Sequence, residues 1–196
     1  MKNIILSSFF YLLSSVLHAQ QADILIKNGK ILNGSGNSWF YGDIAIKGEK
    51  IIAIGHLNNY TSSKTIDATG LIVAPGFIDV HTHIEGDEKK NPTADNFIYD
   101  GVTTVITGNC GSSEVDLKKY FSFIDSLHLS INVASLIGHN DVRKAVMGRA
   151  MRDPNENEMK KMEAIVEQAM KDGAVGFSTG LIYIPGTYSK TDEVIN

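Results

Sequence analysis

Ala74-Pro75-Gly76-Phe77-Ile78-Asp79-Val80-His81-Thr82-His83 is the stretch from which the architecture unfolds. Pro75 and Gly76 mark a turn into a short apolar run, and the run ends in two histidines separated by one residue. In a strand, residues i and i+2 share a face, so both imidazoles point the same way. Imidazole is the commonest protein metal ligand, and such a pair can set two nitrogens about 2 Å from one cation. The C-terminal end of a strand is also where barrels and open α/β sheets carry their chemistry. Away from such a position, a His-x-His pair is more often packed or surface than ligating. Asp79 falls on the histidine face one step deeper. It reads either as a buried, hydrogen-bonded carboxylate or as a group that orients a ligand imidazole.

Upstream of this stretch, residues 23–32, 42–47 and 50–54 are short strand-like segments punctuated by Asn33–Ser38 and by Gly48-Glu49, which predicts antiparallel hairpins. Residues 71–74 add a further strand. Downstream the rhythm changes. Residues 102–107, 130–137 and 174–177 read as buried strands, and residues 93–99, 114–127 and 156–171 as helices. Asp153-Pro154 opens the last helix and Gly173 closes it. Strand alternating with helix implies parallel βα units, four of them counting the histidine strand. Ser189 and Asp192 have a spacing close to a capping box, so another helix begins just before Asn196. A closed (β/α)8 barrel needs about 250 residues, so the pattern reads as the first half of one.

Composition narrows the partners. The formal charge of the 196 residues is −4 with no basic cluster, which argues against nucleic acid. Lys2, the apolar stretch over residues 4–17 and Leu17-His18-Ala19 resemble an export signal cleaved after Ala19 or Gln20. That stretch is shorter than the roughly 20 apolar residues a spanning helix needs, so the mature chain is expected to be exported and free of the membrane. Cys110, the single cysteine, cannot form an internal disulfide. In Thr107-Gly108-Asn109-Cys110-Gly111 it follows the second βα strand. It is therefore either a small buried residue in a glycine-rich turn or a thiolate ligand at the same sheet end as His81 and His83. His139 ends the third strand and either lines the pocket or is structural. Tyr183, after the fourth, either donates to a substrate oxygen or packs near Pro185. His56 and His128 lie away from these strand ends.

The run Ala74–His83 resembles the first-strand motif of the metal-dependent amidohydrolase superfamily. Gly-Asn-Cys-Gly at 108–111 and Gly-Phe-Ser-Thr-Gly-Leu-Ile-Tyr-Ile-Pro-Gly at 176–186 resemble its N-acyl-D-amino-acid deacylase (D-aminoacylase) branch, over a match running from about Ala22 to the last residue. With residues 1–19 read as the signal, the resemblance implies 20–75 as part of a small β-sandwich and 76–196 as the first four units of a TIM-like barrel. It also implies His81 and His83 as ligands of one metal position and Cys110 as a ligand of a tighter Zn2+ position, with N-acyl-D-amino acids as substrates. The family's further histidines and its aspartate come from later strands, so this chain is expected to be inactive alone. His83 is followed by Ile84-Glu85-Gly86-Asp87, where that branch commonly places acidic residues at once. Hydantoinases and dihydroorotases share His-x-His but use a carboxylated lysine on the fourth strand, and residues 174–179 contain no lysine. Another amidohydrolase, such as a cyclic amidase or dipeptidase, and a shortened non-catalytic module are the alternatives.

Overall fold

The computed structural model describes residues 20–196, and the expected leader lies outside the described residues. The chain divides into two compact units, Met1–Pro75 and Gly76–Asn196. No helix among the described residues is long and apolar enough to cross a membrane.

In the first unit, β1 (Gln20–Ile31) pairs antiparallel with β2 (Phe40–Lys47), and β2 pairs with β3 (Lys50–Gly55) across the Gly48-Glu49 turn. The expected antiparallel hairpins are present, and two parallel strands join them. β4 (Tyr60–Asp67) and β5 (Ile72–Val73) both run parallel to β1, giving the order β3-β2-β1-β4 with β5 also on β1. β4 escaped the sequence reading because Thr-Ser-Ser-Lys-Thr carries no apolar alternation, and most of the strand is exposed. Its place is secured by ladder pairing from Gln20↔Tyr60 to Lys27↔Asp67 rather than by a buried face. Ala22, Leu25, Ala45 and Leu57 form the small core. The buried Asp43 carboxylate accepts the Asn28 and Leu57 N–H groups at 3.0 and 3.1 Å, satisfying backbone donors at the β1 bulge and the turn after β3.

The second unit is built on parallel strands in sequence order: β6 (Phe77–Asp79), β7 (Val102–Thr107) and β8 (Asn132–Ser135), then β9 (Ile137–Gly138) beside β10 (Phe177–Ser178). β8 and β9 are one strand interrupted at Leu136. Leu136 N–H still donates to Thr107 O at 2.9 Å, while Ile137 N–H and Val175 N–H bond across to Gly176 O and Ser135 O, each at 2.9 Å. The result is a mixed α/β unit with an open arc of four strand positions, and the barrel is not closed among the described residues.

Helices α1 (Asp95–Ile98), α2 (Leu117–Leu127), α3 (His139–Met147), α4 (Glu156–Lys171) and α5 (Thr191–Ile195) follow the strands. Leu117, Tyr120 and Ile124 of α2, Val142 of α3, and Met162 and Ala169 of α4 pack with Ile137 into the main core. α3 is an addition to the sequence reading, which placed His139 just past a third strand over residues 130–137 and predicted no helix there. Gly138 caps α3 without a side chain, so no capping residue advertised it. The cap of α4 is Asn155 rather than Asp153-Pro154. Its side chain accepts from Asn157 and Glu158 N–H while Glu158 accepts the Asn155 N–H, a full capping box. At α5 the expected Ser189 cap is not made, because that hydroxyl donates to the Glu193 side chain at 3.0 Å.

Candidate metal centre

β6 stops at Asp79, and the two histidines stand just past the strand, on an irregular segment rather than on the strand itself. Thr82 fixes their direction. Its N–H and hydroxyl both bond the Ile106 carbonyl of β7, at 3.1 and 2.9 Å, and bury Thr82 against that strand. Alternation then sends His81 and His83 to the other side, with ring centroids 5.5 Å apart. Asp79 acts on the backbone instead of a ring: its carboxylate accepts the His81 N–H at 3.1 Å.

Cys110 reaches the same place from β7. The turn that carries it is tight, and Cys110 itself adopts a left-handed conformation with φ 57°. Gly108 is required there by φ +78° and by proximity, since a Cβ would lie 2.2 Å from the Leu136 carbonyl oxygen. Gly180, on the loop after β10, is required by contact alone, as a Cβ would fall 1.8 Å from the Cys110 carbonyl oxygen. Asn109 turns inward and donates to Ile106 O at 2.9 Å. The thiol is thereby placed 3.4 Å from His81 Nε2, and the donor atoms of His81, His83 and Cys110 all lie within 4.8 Å of one another. Bonds of about 2.0 and 2.3 Å at a tetrahedral angle put nitrogen and sulfur about 3.5 Å apart, so the pair is spaced for one zinc-sized ion. Two imidazoles and a thiol suit zinc better than calcium or magnesium, which take oxygen donors. No Asp or Glu carboxylate belongs to this group among the described residues. His83 also borders an open cleft of about 830 Å³ shared with Glu85, Ser113, Asp141 and Lys144.

The other two expected site residues lie elsewhere. His139 is 3% exposed at the start of α3, its Nε2 3.0 Å from Glu193 Oε1 and its ring 6.0 Å from that of Phe177. Glu193 also pairs with the fully buried Arg143, whose second nitrogen donates to Arg152 O at 2.6 Å. Burial by itself raises the Glu193 carboxyl, but hydrogen bonds from Arg143, His139 and Ser189 outweigh it and hold the group below the usual carboxylate range. His139 is thus engaged in a buried charged cluster and is not brought into the donor group. Tyr183 is 55% exposed on the loop that abuts Cys110, its N–H on Gly180 O at 2.9 Å.

Sequence reasoning missed the groups that brace the cysteine turn. Glu85 accepts the Gly108 N–H at 2.8 Å, and Asn140 donates its backbone N–H to Gly111 O at 2.9 Å and its side-chain amide to Gly180 O at 3.0 Å. Ser178 bonds both ends of the turn. Spacing could not reveal them, because each works through the backbone of a distant segment.

Residues 64–192 match the Amidohydrolase family. The chain belongs to that family. It is 33% identical to the D-aminoacylase of Alcaligenes xylosoxydans xylosoxydans, over 90% of this chain and 41% of that protein. It is 35% identical to the N-acyl-D-aspartate deacylase of the same organism, over 90% and 40% respectively. The structure of N-acyl-D-glutamate deacylase from Bordetella bronchiseptica, complexed with zinc and a phosphonate inhibitor that mimics the tetrahedral intermediate, is similar with a TM-score of 0.84. The identity there is 34%, covering 89% of this chain and 42% of that one. The chain spans about two fifths of the length of these relatives.

Proposed function

We propose that this chain provides the zinc-binding part of an N-acyl-D-amino-acid deacylase, which hydrolyses a linear amide to a carboxylic acid and a free D-amino acid. The observation that carries the reading is the thiol of Cys110 beside His81 Nε2, joined by His83, in a chain one-third identical to D-aminoacylase. Zinc held there would supply Lewis acidity for the attack of water on the amide carbonyl. His81, His83 and Cys110 would hold the ion, Thr82 and Asp79 fix the histidine backbone, and Tyr183 faces outward near the turn as a donor to substrate oxygen. The three donors include no general base, so residues 1–196 by themselves are expected to bind zinc without appreciable deacylase turnover. The absence of lysine from residues 174–179 weighs against a site bridged by a carboxylated lysine.

The test begins with zinc titration of the purified chain by calorimetry. Wild type should bind, and Cys110→Ala should bind at least tenfold more weakly; no binding by wild type overturns the zinc reading. N-acyl-D-amino acids, their L enantiomers, hydantoins and dipeptides are then presented to the zinc-loaded chain. Chemical-shift changes confined to the D series support the substrate assignment, and changes produced by hydantoins alone overturn it. Steady turnover of any N-acyl-D-amino acid by these 196 residues would refute the division of labour.

A further inference from the structure

The donors His81, His83 and Cys110 come from two successive loops, yet the turn that aims Cys110 is closed by a residue of the fourth strand. The Ser178 hydroxyl donates to the Gly108 carbonyl at 2.5 Å and accepts the Gly111 N–H at 3.0 Å. One side-chain oxygen therefore bridges the first and last residues of Gly108-Asn109-Cys110-Gly111. Cys110, between them, sits at φ 57°, a conformation that costs a non-glycine residue energy unless its surroundings enforce it. The remaining polar groups at the two ends of the turn are also occupied, by Glu85 on Gly108 N–H and by Asn140 N–H on Gly111 O. Among the described residues, Ser178 alone hydrogen-bonds both ends.

We infer that Ser178 is a positioning residue for the thiol: its hydroxyl staples the cysteine turn and so sets Cys110 Sγ at ligating distance from His81. The inference rests on the zinc reading above. In geometric terms, loss of the staple frees the turn to relax out of the left-handed conformation and carries the sulfur away from the imidazoles. Groups that orient metal ligands from outside the coordination sphere are typically worth about 10–100-fold in metal affinity.

The experiment uses the purified chain loaded with Co2+ or Zn2+, as wild type, Ser178→Ala and Ser178→Thr. Ser178→Ala should bind either ion about 10–100-fold more weakly and should lose or shift the near-ultraviolet thiolate-to-cobalt charge-transfer band, while its metal-free far-UV circular dichroism matches wild type. Ser178→Thr, which keeps the hydroxyl, should restore both the affinity and the band. Wild-type affinity and an unchanged band in Ser178→Ala overturn the inference. Wild type that binds neither ion removes the zinc reading itself, so the two failures are told apart by the wild-type arm. If Ser178→Ala does not fold, hydrogen exchange on the metal-free wild type decides. The Gly111 amide should be protected, and exchange at the free-peptide rate overturns the staple.

Discussion

At the scale of single residues, the centre depends on backbone that only certain side chains permit. Gly108 is the clearest case, because the atom a Cβ would meet is the Leu136 carbonyl oxygen, a backbone atom between β8 and β9 in a residue whose own N–H is bound to Thr107 O. Gly108→Ala should lower stability by more than about 1 kcal/mol in urea titration and weaken zinc binding as well, since the turn must open to relieve the clash. A variant with wild-type stability and wild-type zinc affinity would show that the turn is not held as tightly as the contacts indicate. The three donors that the structure brings within 4.8 Å of one another were legible as candidates in the sequence: His-x-His at a strand end and a lone cysteine at the next strand end carry their own chemical signal. Ser178, Glu85 and Asn140 were not, because serine, glutamate and asparagine at these positions look like any loop residues until the backbone they hold is seen. His139 shows how a strand-end position leaves a role open. Its position at a strand end resembles that of His81, but the helix it begins turns the ring toward Glu193 and Arg143.

Among the elements, α5 is tied down by charge rather than by a cap. Glu193 accepts from Arg143, His139 and Ser189, linking α5 to α3. Its folded pKa lies below the ordinary value of 4.5, so the stabilisation is fully present above that pH and is lost as pH falls below it. The wild-type thermal midpoint should therefore drop on acidification below about pH 4.5. Glu193→Gln should be less stable at neutral pH by roughly 3 kcal/mol, because Arg143 is left buried without its counter-charge, and it should show a shallower acid dependence. Parallel pH curves for the two proteins would rule out this origin. Strand and helix order in the second unit was legible because apolar runs and helical spacing alternate there. The parallel edge strand β4 was not, since it is held to the sheet mainly by backbone hydrogen bonds, which leave no pattern in side chains.

For the molecule as a whole, the open arc leaves apolar residues facing water. Phe77, Ile78 and Val80 are 64%, 61% and 64% exposed, and Ile182 is 83% exposed. Apolar side chains this exposed favour association. The purified 196-residue chain should enhance the fluorescence of an apolar dye and self-associate as concentration rises by light scattering; a monodisperse, dye-silent monomer would contradict this. The staple has one more consequence, concerning time. His81 and Cys110 are 29 positions apart, whereas Gly111 and Ser178 are separated by 67. At about 10 residues per second of synthesis, a growing polypeptide carries both imidazoles and the thiol for several seconds before the serine that bridges the cysteine turn is added. During that interval the cysteine is a loose nucleophile on a nascent chain, so early metal capture would also protect it from oxidation.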